Sequence, residues 1–171
     1  LVRGRGCRGI RPHTWGDDTH MILLCLILIP LIGGLVAGIV GGKNPTACRW
    51  ISLGALGADS LLALSLASQY LGGEGSGSPW FVEWSGSWIP QFGVAFHVAV
   101  DGLSLVMVLL TLFLGLIGVG ASWTEIRDRV GFFHFSFLAI LSGVLGVFLA
   151  IDLFLFFFFW EVMLIPMYLL I

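Results

Sequence analysis

The sequence predicts an all-α fold: a polytopic membrane helical bundle of about five transmembrane helices. Two observations carry this. Of the 171 residues, 58% are hydrophobic and only 11% are charged, where a soluble domain carries about 25% charged residues. The apolar residues also lie in long unbroken runs. A spanning helix needs roughly 20 such residues at about 1.5 Å rise each, and no soluble core requires runs of that length.

The elements follow in order. Residues 1–20, LVRGRGCRGIRPHTWGDDTH, have no hydrophobic period and read as a non-native or disordered extension, with Met21 as the native start. The first span is 21–42. It contains Pro30 and the Gly34, Gly38, Gly42 spacing, which lets another helix approach closely. Lys43, Asn44, Pro45 and Arg49 form a short polar turn, and the second span is 50–71, with Asp59 inside it. Residues 72–96 form an extracytoplasmic loop. Its GGEGSGSP segment is flexible by composition. Trp80, Trp84 and Trp88, followed by Ile89 and Pro90, suit the level of the lipid headgroups, so this part is expected on the membrane surface.

The third span is 98–122, with Asp101 near its start, and the charged segment TEIRDR follows. The apolar stretch from Val130 to Ile171 is about 42 residues, or roughly 63 Å as one helix, about twice the hydrocarbon thickness. It must turn, and the one charge near its middle, Asp152, places a tight turn at Ala150 to Leu153. That gives a fourth span at 131–151 and a fifth at 153–171. The fifth stops within an apolar run, so the chain reads as the front part of a longer protein.

Lys43 and Arg49 lie in one connection, and Arg127 and Arg129 in another two spans later. Both fall on one side, which the distribution of basic residues makes cytoplasmic. The native N-terminus is then outside, an orientation that Arg3, Arg5, Arg8 and Arg11 oppose if residues 1–20 are native.

Glu161 is the residue of greatest chemical weight. If the fifth helix begins near Leu153, this acid lies about 12 Å along it, near mid-membrane. An ionised carboxylate there is costly unless it is paired. The escapes are protonation, a cationic partner or a water-filled cavity, and each suits a proton relay. A structural acid capped by a neighbouring hydroxyl or amide is the plainer alternative. Pro166, one turn further on, cannot donate a backbone hydrogen bond, so the Val162 carbonyl loses its partner and a local kink or bound water is expected.

Asp59 also falls near mid-membrane, among small residues, and the plain reading is a hydrogen bond to Ser60 or a neighbouring helix. Asp101 near a helix N-terminus reads as a cap or anchor. Asp152 needs only its turn. His97 and His134 stand near helix ends, where a lone histidine is more often a headgroup or backbone contact than a proton carrier. Cys7, Cys25 and Cys48 are scattered and read as unpaired, and no His or Cys set has metal-ligand spacing. There is no Gly-rich phosphate loop, no GxGxxG and no Ser–His–Asp set. No cofactor-binding group is therefore expected in the chain. The net charge of −2, with no basic face beyond the extreme N-terminus, gives no nucleic-acid partner.

The segments WIPQFGVAFHVAVDGLSLVMVLLT and GVFLAIDLFLFFFFWEVMLIPMYLLI resemble the M subunits of NADH–quinone oxidoreductase, bacterial respiratory complex I. The similarity runs from about Met21 to Ile171. Mrp-type cation/proton antiporter subunits are more distant relatives, so the alternative readings are an Mrp-type sodium/proton antiporter subunit or a helical fragment without activity of its own. The resemblance implies a fourteen-helix antiporter-like fold with two inverted repeats, of which this chain is the opening part. It implies that Glu161 is the family's helix-five glutamate, working with a lysine on helix seven, beyond Ile171. It implies proton translocation coupled to NADH oxidation and quinone reduction. The expected partners are the lipid bilayer and other membrane subunits, especially L and N, with NAD, FMN, iron–sulfur clusters and quinone held elsewhere in the complex. Asp59 is not part of the family pattern.

Overall fold

The computed structural model describes residues 17–72, 82–89 and 94–171. Five helices and a hairpin make up the fold. They are α1 (Asp17–Gly41), α2 (Pro45–Leu71), β1 (Val82–Ile89), β2 (Val94–Val100), α3 (Gly102–Glu125), α4 (Val130–Leu149) and α5 (Leu153–Leu170). All five helices are long and apolar enough to cross a membrane. Of the expected extension, Asp17–His20 continue α1, and the first sixteen residues lie outside the described set.

Polar residues at the helix starts explain where the helices begin. Pro45 opens α2 directly after Asn44, because its missing N–H costs nothing at the first helical position. Arg49, expected in the preceding turn, is therefore inside α2. Asp101 caps α3 with a reciprocal pair: its carboxylate accepts from the Ser104 amide at 2.8 Å, and the Ser104 hydroxyl accepts from the Asp101 amide at 2.9 Å. Asp152 caps α5, accepting from the Phe154 amide at 2.7 Å. Without that cap, nothing in the apolar sequence would stop α4 running into α5.

The core is built around α4, which touches all four other helices. Half of its span is buried (50%), against 17% for α5. Close approach to α1 depends on glycine. A Cβ at Gly131 would lie 2.8 Å from the Gly38 carbonyl oxygen and 2.9 Å from the Gly41 Cα. Gly34 and Gly38 face Phe135 and Leu138 of α4, whereas Gly42 has nothing near it. The working set is thus Gly34, Gly38 and Gly41, not the evenly spaced triplet. At about 3.6 residues per turn, a step of seven returns to the same face and a step of eight rotates off it.

A polar contact also joins these two helices. Pro30 removes the amide that would bond the Leu26 carbonyl, and its ring crowds that turn. One residue on, the Ile27 carbonyl accepts from the buried Ser142 hydroxyl of α4 at 2.6 Å.

The loop expected at 72–96 contains β1, which pairs antiparallel with β2, with a register irregularity between Ser87 and Ile89. Its described part also packs against the bundle. Trp84 sits edge-on to Phe96 at 5.6 Å between ring centroids, and Phe96 edge-on to Phe159 of α5 at 6.3 Å. Val98, Ala99 and Val100 are buried. The Ile151 amide donates to the His97 carbonyl at 3.0 Å, tying β2 to the turn before α5. The β-branched residues of VAFHVAV favour this strand, and it displaces the start of α3 to Gly102. Trp80 and Pro90 lie outside the described residues.

Candidate functional site

Two acids lie near the middle of spanning helices, and the fold treats them oppositely. Glu161 is the ninth residue of the 18-residue α5. The face of α5 turned to α4 carries Leu155, Phe159 and Pro166, all buried. Phe159 and Met163 close over Gly146 and Gly143 of α4. Glu161 lies on the other face and is exposed. It borders a shallow groove of about 450 Å³ with Phe158, Leu164 and Tyr168. No hydrogen bond or ion pair joins it to any described residue. The acid is aromatic-walled but uncapped, and it points away from helices α1 to α4.

Asp59 is the reverse. It is fully buried, on the α2 face that also carries Ser52, Leu56, Ala63 and Leu66. Neither carboxyl oxygen has a hydrogen-bond partner. The hydrogen bond expected from Ser60 is not made, because that hydroxyl turns back to the Leu56 carbonyl at 2.7 Å.

His134, expected near a helix end, is in the first turns of α4 yet fully buried. Its Nδ1 lies 2.9 Å from the Val130 carbonyl and its Nε2 has no partner. Of the headgroup or backbone contact expected for it, the backbone one is made. Asp101, outside the spans, is held below the usual carboxylate range, first by the Ser104 hydroxyl and then by the Ser104 amide. Pro166 lies within a continuous α5, and with Ser142 and Val162 it lines an apolar groove between α1, α4 and α5 of about 500 Å³. Among the described residues, no group of three His, Cys, Asp or Glu could hold a metal ion.

Sequence reasoning missed Arg49. One terminal nitrogen of its guanidinium donates to the Ile126 carbonyl at the end of α3, at 2.9 Å, and its carbon lies 5.7 Å from the Trp123 ring centroid. Trp50 meets Trp123 edge-on at 5.5 Å. The available signal was Pro45 at a helix start, which puts Arg49 inside the helix.

No family model matches the chain. Against curated proteins, it is 51% identical over 156 residues to NADH-quinone oxidoreductase subunit M of Escherichia coli strain K12, covering 88% of this chain and 30% of that one. The chain is a homologue of NADH-quinone oxidoreductase subunit M. The subunit M of Pseudomonas aeruginosa is 49% identical over 155 residues, again 88% of this chain and 30% of the relative. An NAD(P)H-quinone oxidoreductase chain 4 from a Nostoc species is 38% identical over 149 residues, 87% of this chain and 27% of the relative. The chain thus spans under a third of the subunit M proteins it matches. Among solved structures, it resembles a chain of the membrane-bound sulfane sulfur reductase, an archaeal respiratory membrane complex. The TM-score is 0.70 at 24% identity, over 86% of this chain and 22% of that one. That likeness supports the fold.

Proposed function

We propose that Glu161 is the proton-exchanging carboxyl of a membrane proton pump, and that this chain is the opening part of a complex I subunit of type M. The observation that carries the reading is the carboxyl halfway along α5, exposed on the face turned from α4 and bordered by Phe158 and Leu164. An acid in such a position is stable when it takes up a proton, meets a cation or meets water, and alternation among those states moves protons. The open face of α5 is where a cationic partner from later helices would pack. Pro166 removes the helical donor of the Val162 carbonyl one turn further along α5.

In this reading the whole protein sits in the bacterial inner membrane, with the Arg49 end of the bundle cytoplasmic and Met21 on the periplasmic side. Its neighbours are other membrane subunits, L and N among them, and NADH oxidation and quinone reduction occur elsewhere in the complex. The chain contributes to the oxidoreductase as a translocating part and holds none of its redox groups.

The test is Glu161→Gln in the full-length subunit within its complex. NADH-driven proton translocation should fall by an order of magnitude or more, about 1.4 kcal/mol per tenfold. Translocation and quinone reduction both unchanged would overturn the assignment.

A further inference from the structure

We propose that Asp59 is a second proton-binding site, independent of Glu161, which holds its proton as a neutral carboxylic acid inside helices α1 to α4 and exchanges it toward the Arg49 end of the bundle. The inference rests on the pump reading only for its context.

Three observations support it. The first is that Asp59 is fully buried and both oxygens lack a partner. Unpaired buried polar atoms are rare, and an ionised carboxylate in that position would be far more costly than a neutral one. The acid lies about 21 Å along α2 from Pro45, close to the middle of its span.

The second is that no cationic side chain among the described residues pairs with either carboxyl oxygen. The other titratable groups on the helices packed against α2 are Asp17, Asp18 and His20 in the first turn of α1, Cys25 further along it, Glu125 at the last residue of α3 and His134 near the start of α4; α2 itself adds Cys48, Arg49 and Tyr70. Arg49 is committed to the Ile126 carbonyl at the far end of α3.

The third is directional. Four of the five buried orphan atoms among the described residues are the two Asp59 oxygens, Arg49 Nε and His134 Nε2. Arg49 Nε is a donor. His134 Nε2 is an acceptor when Nδ1–H donates to Val130. Both residues belong to one end of the bundle. Arg49 reaches Ile126, and the Cys48 sulfur lies 4.0 Å from the Val130 carbonyl. Complementary orphans at one end are the partners a buried water needs. Beyond Asp59 in the other direction, α2 presents only Ala63 and Leu66 to the core, alongside Leu23, Leu105 and Leu149. The Arg49 end is therefore the polar way in. Leu56, Leu138 and Leu141 lie between, so exchange requires that this apolar layer be transiently wetted.

The experiment uses the full-length subunit within its complex, in membrane vesicles, with aspartate labelled by ¹³C. Infrared difference spectra are recorded between resting and turnover states, in H₂O and D₂O. A protonated carboxyl band that shifts with both labels should be present in the parent and in Glu161→Gln, and absent in Asp59→Asn. Protons moved per NADH should fall at least twofold in Asp59→Asn while quinone reduction continues. His134→Gln should slow deuterium exchange of the band at least tenfold. Asp59→Leu fills the site with apolar atoms. If it assembles and pumps like the parent, the carboxyl is only filler and the proposal fails. If Asp59→Asn does not assemble, the labelled parent still decides, because absence of an aspartic acid band overturns the proposal. Loss of pumping in Glu161→Gln with no effect of Asp59 substitutions would leave the pump reading standing and remove this one.

Discussion

At the scale of single residues, the membrane helices spend their few polar side chains on one task each. Asp152 and Asp101 satisfy helix N-termini, Ser142 satisfies the Ile27 carbonyl, and Arg49 satisfies the end of α3. Replacing Asp101 by Ala should cost about 1 kcal/mol, the ordinary value of an N-cap. Its carboxyl sits below the usual range, so the unfolded chain binds a proton there more readily than the folded one. The stabilisation is therefore full above about pH 4 and is lost as the pH falls through the folded value. Thermal unfolding of the full-length protein in detergent should separate parent and Asp101→Ala at pH 7 and bring them together near pH 2.

At the scale of elements, the contact of α1 with α4 is set by backbone proximity. A side chain at position 131 meets main-chain atoms of Gly38 and Gly41, which cannot rotate away. Gly131→Val should destabilise by about 1 to 3 kcal/mol, the range for overpacking. Gly42→Ala, with nothing near its Cβ, should leave the unfolding midpoint unchanged. Equal effects of the two substitutions would contradict the register described here.

How far such elements can be read in a sequence depends on what marks them. The helices were legible because burial in lipid demands long apolar runs, and the turn before α5 because Asp152 interrupts one. The β1–β2 hairpin was not legible. Its strands mix Gly, Ser and Trp with short apolar alternation, and the pairing is non-local, so a headgroup-level loop fitted the same composition. Glu161 and Asp59 were both visible as acids in apolar runs. Their opposite exposure was not, because it depends on which helix lies against each face, and apolar residues surround both.

At the scale of the whole molecule, α4 is enclosed and α5 is open. The large exposed residues of α5 include Leu153, Phe157, Ile165 and Tyr168. In a bilayer such a face is at home against lipid or another helix, so exposure alone does not select between them. Under the proposed function the carboxyl of Glu161 favours a helix, since lipid offers it no partner. The Glu161→Gln experiment thus tests an arrangement as well as a residue.

The bond between the Ile151 amide and the His97 carbonyl joins main-chain atoms only, so a change of side chain cannot delete it unless position 151 becomes proline. It also gives the short α4–α5 connection an internal clock. Amides in so brief a turn ordinarily trade hydrogen with solvent fast. The one at Ile151 should be retarded for as long as β2 stays docked, and native-state exchange on the full-length protein should find it among the slower loop amides. If it exchanges as fast as its neighbours, the hairpin detaches from the root of α5 far more often than the helices themselves open.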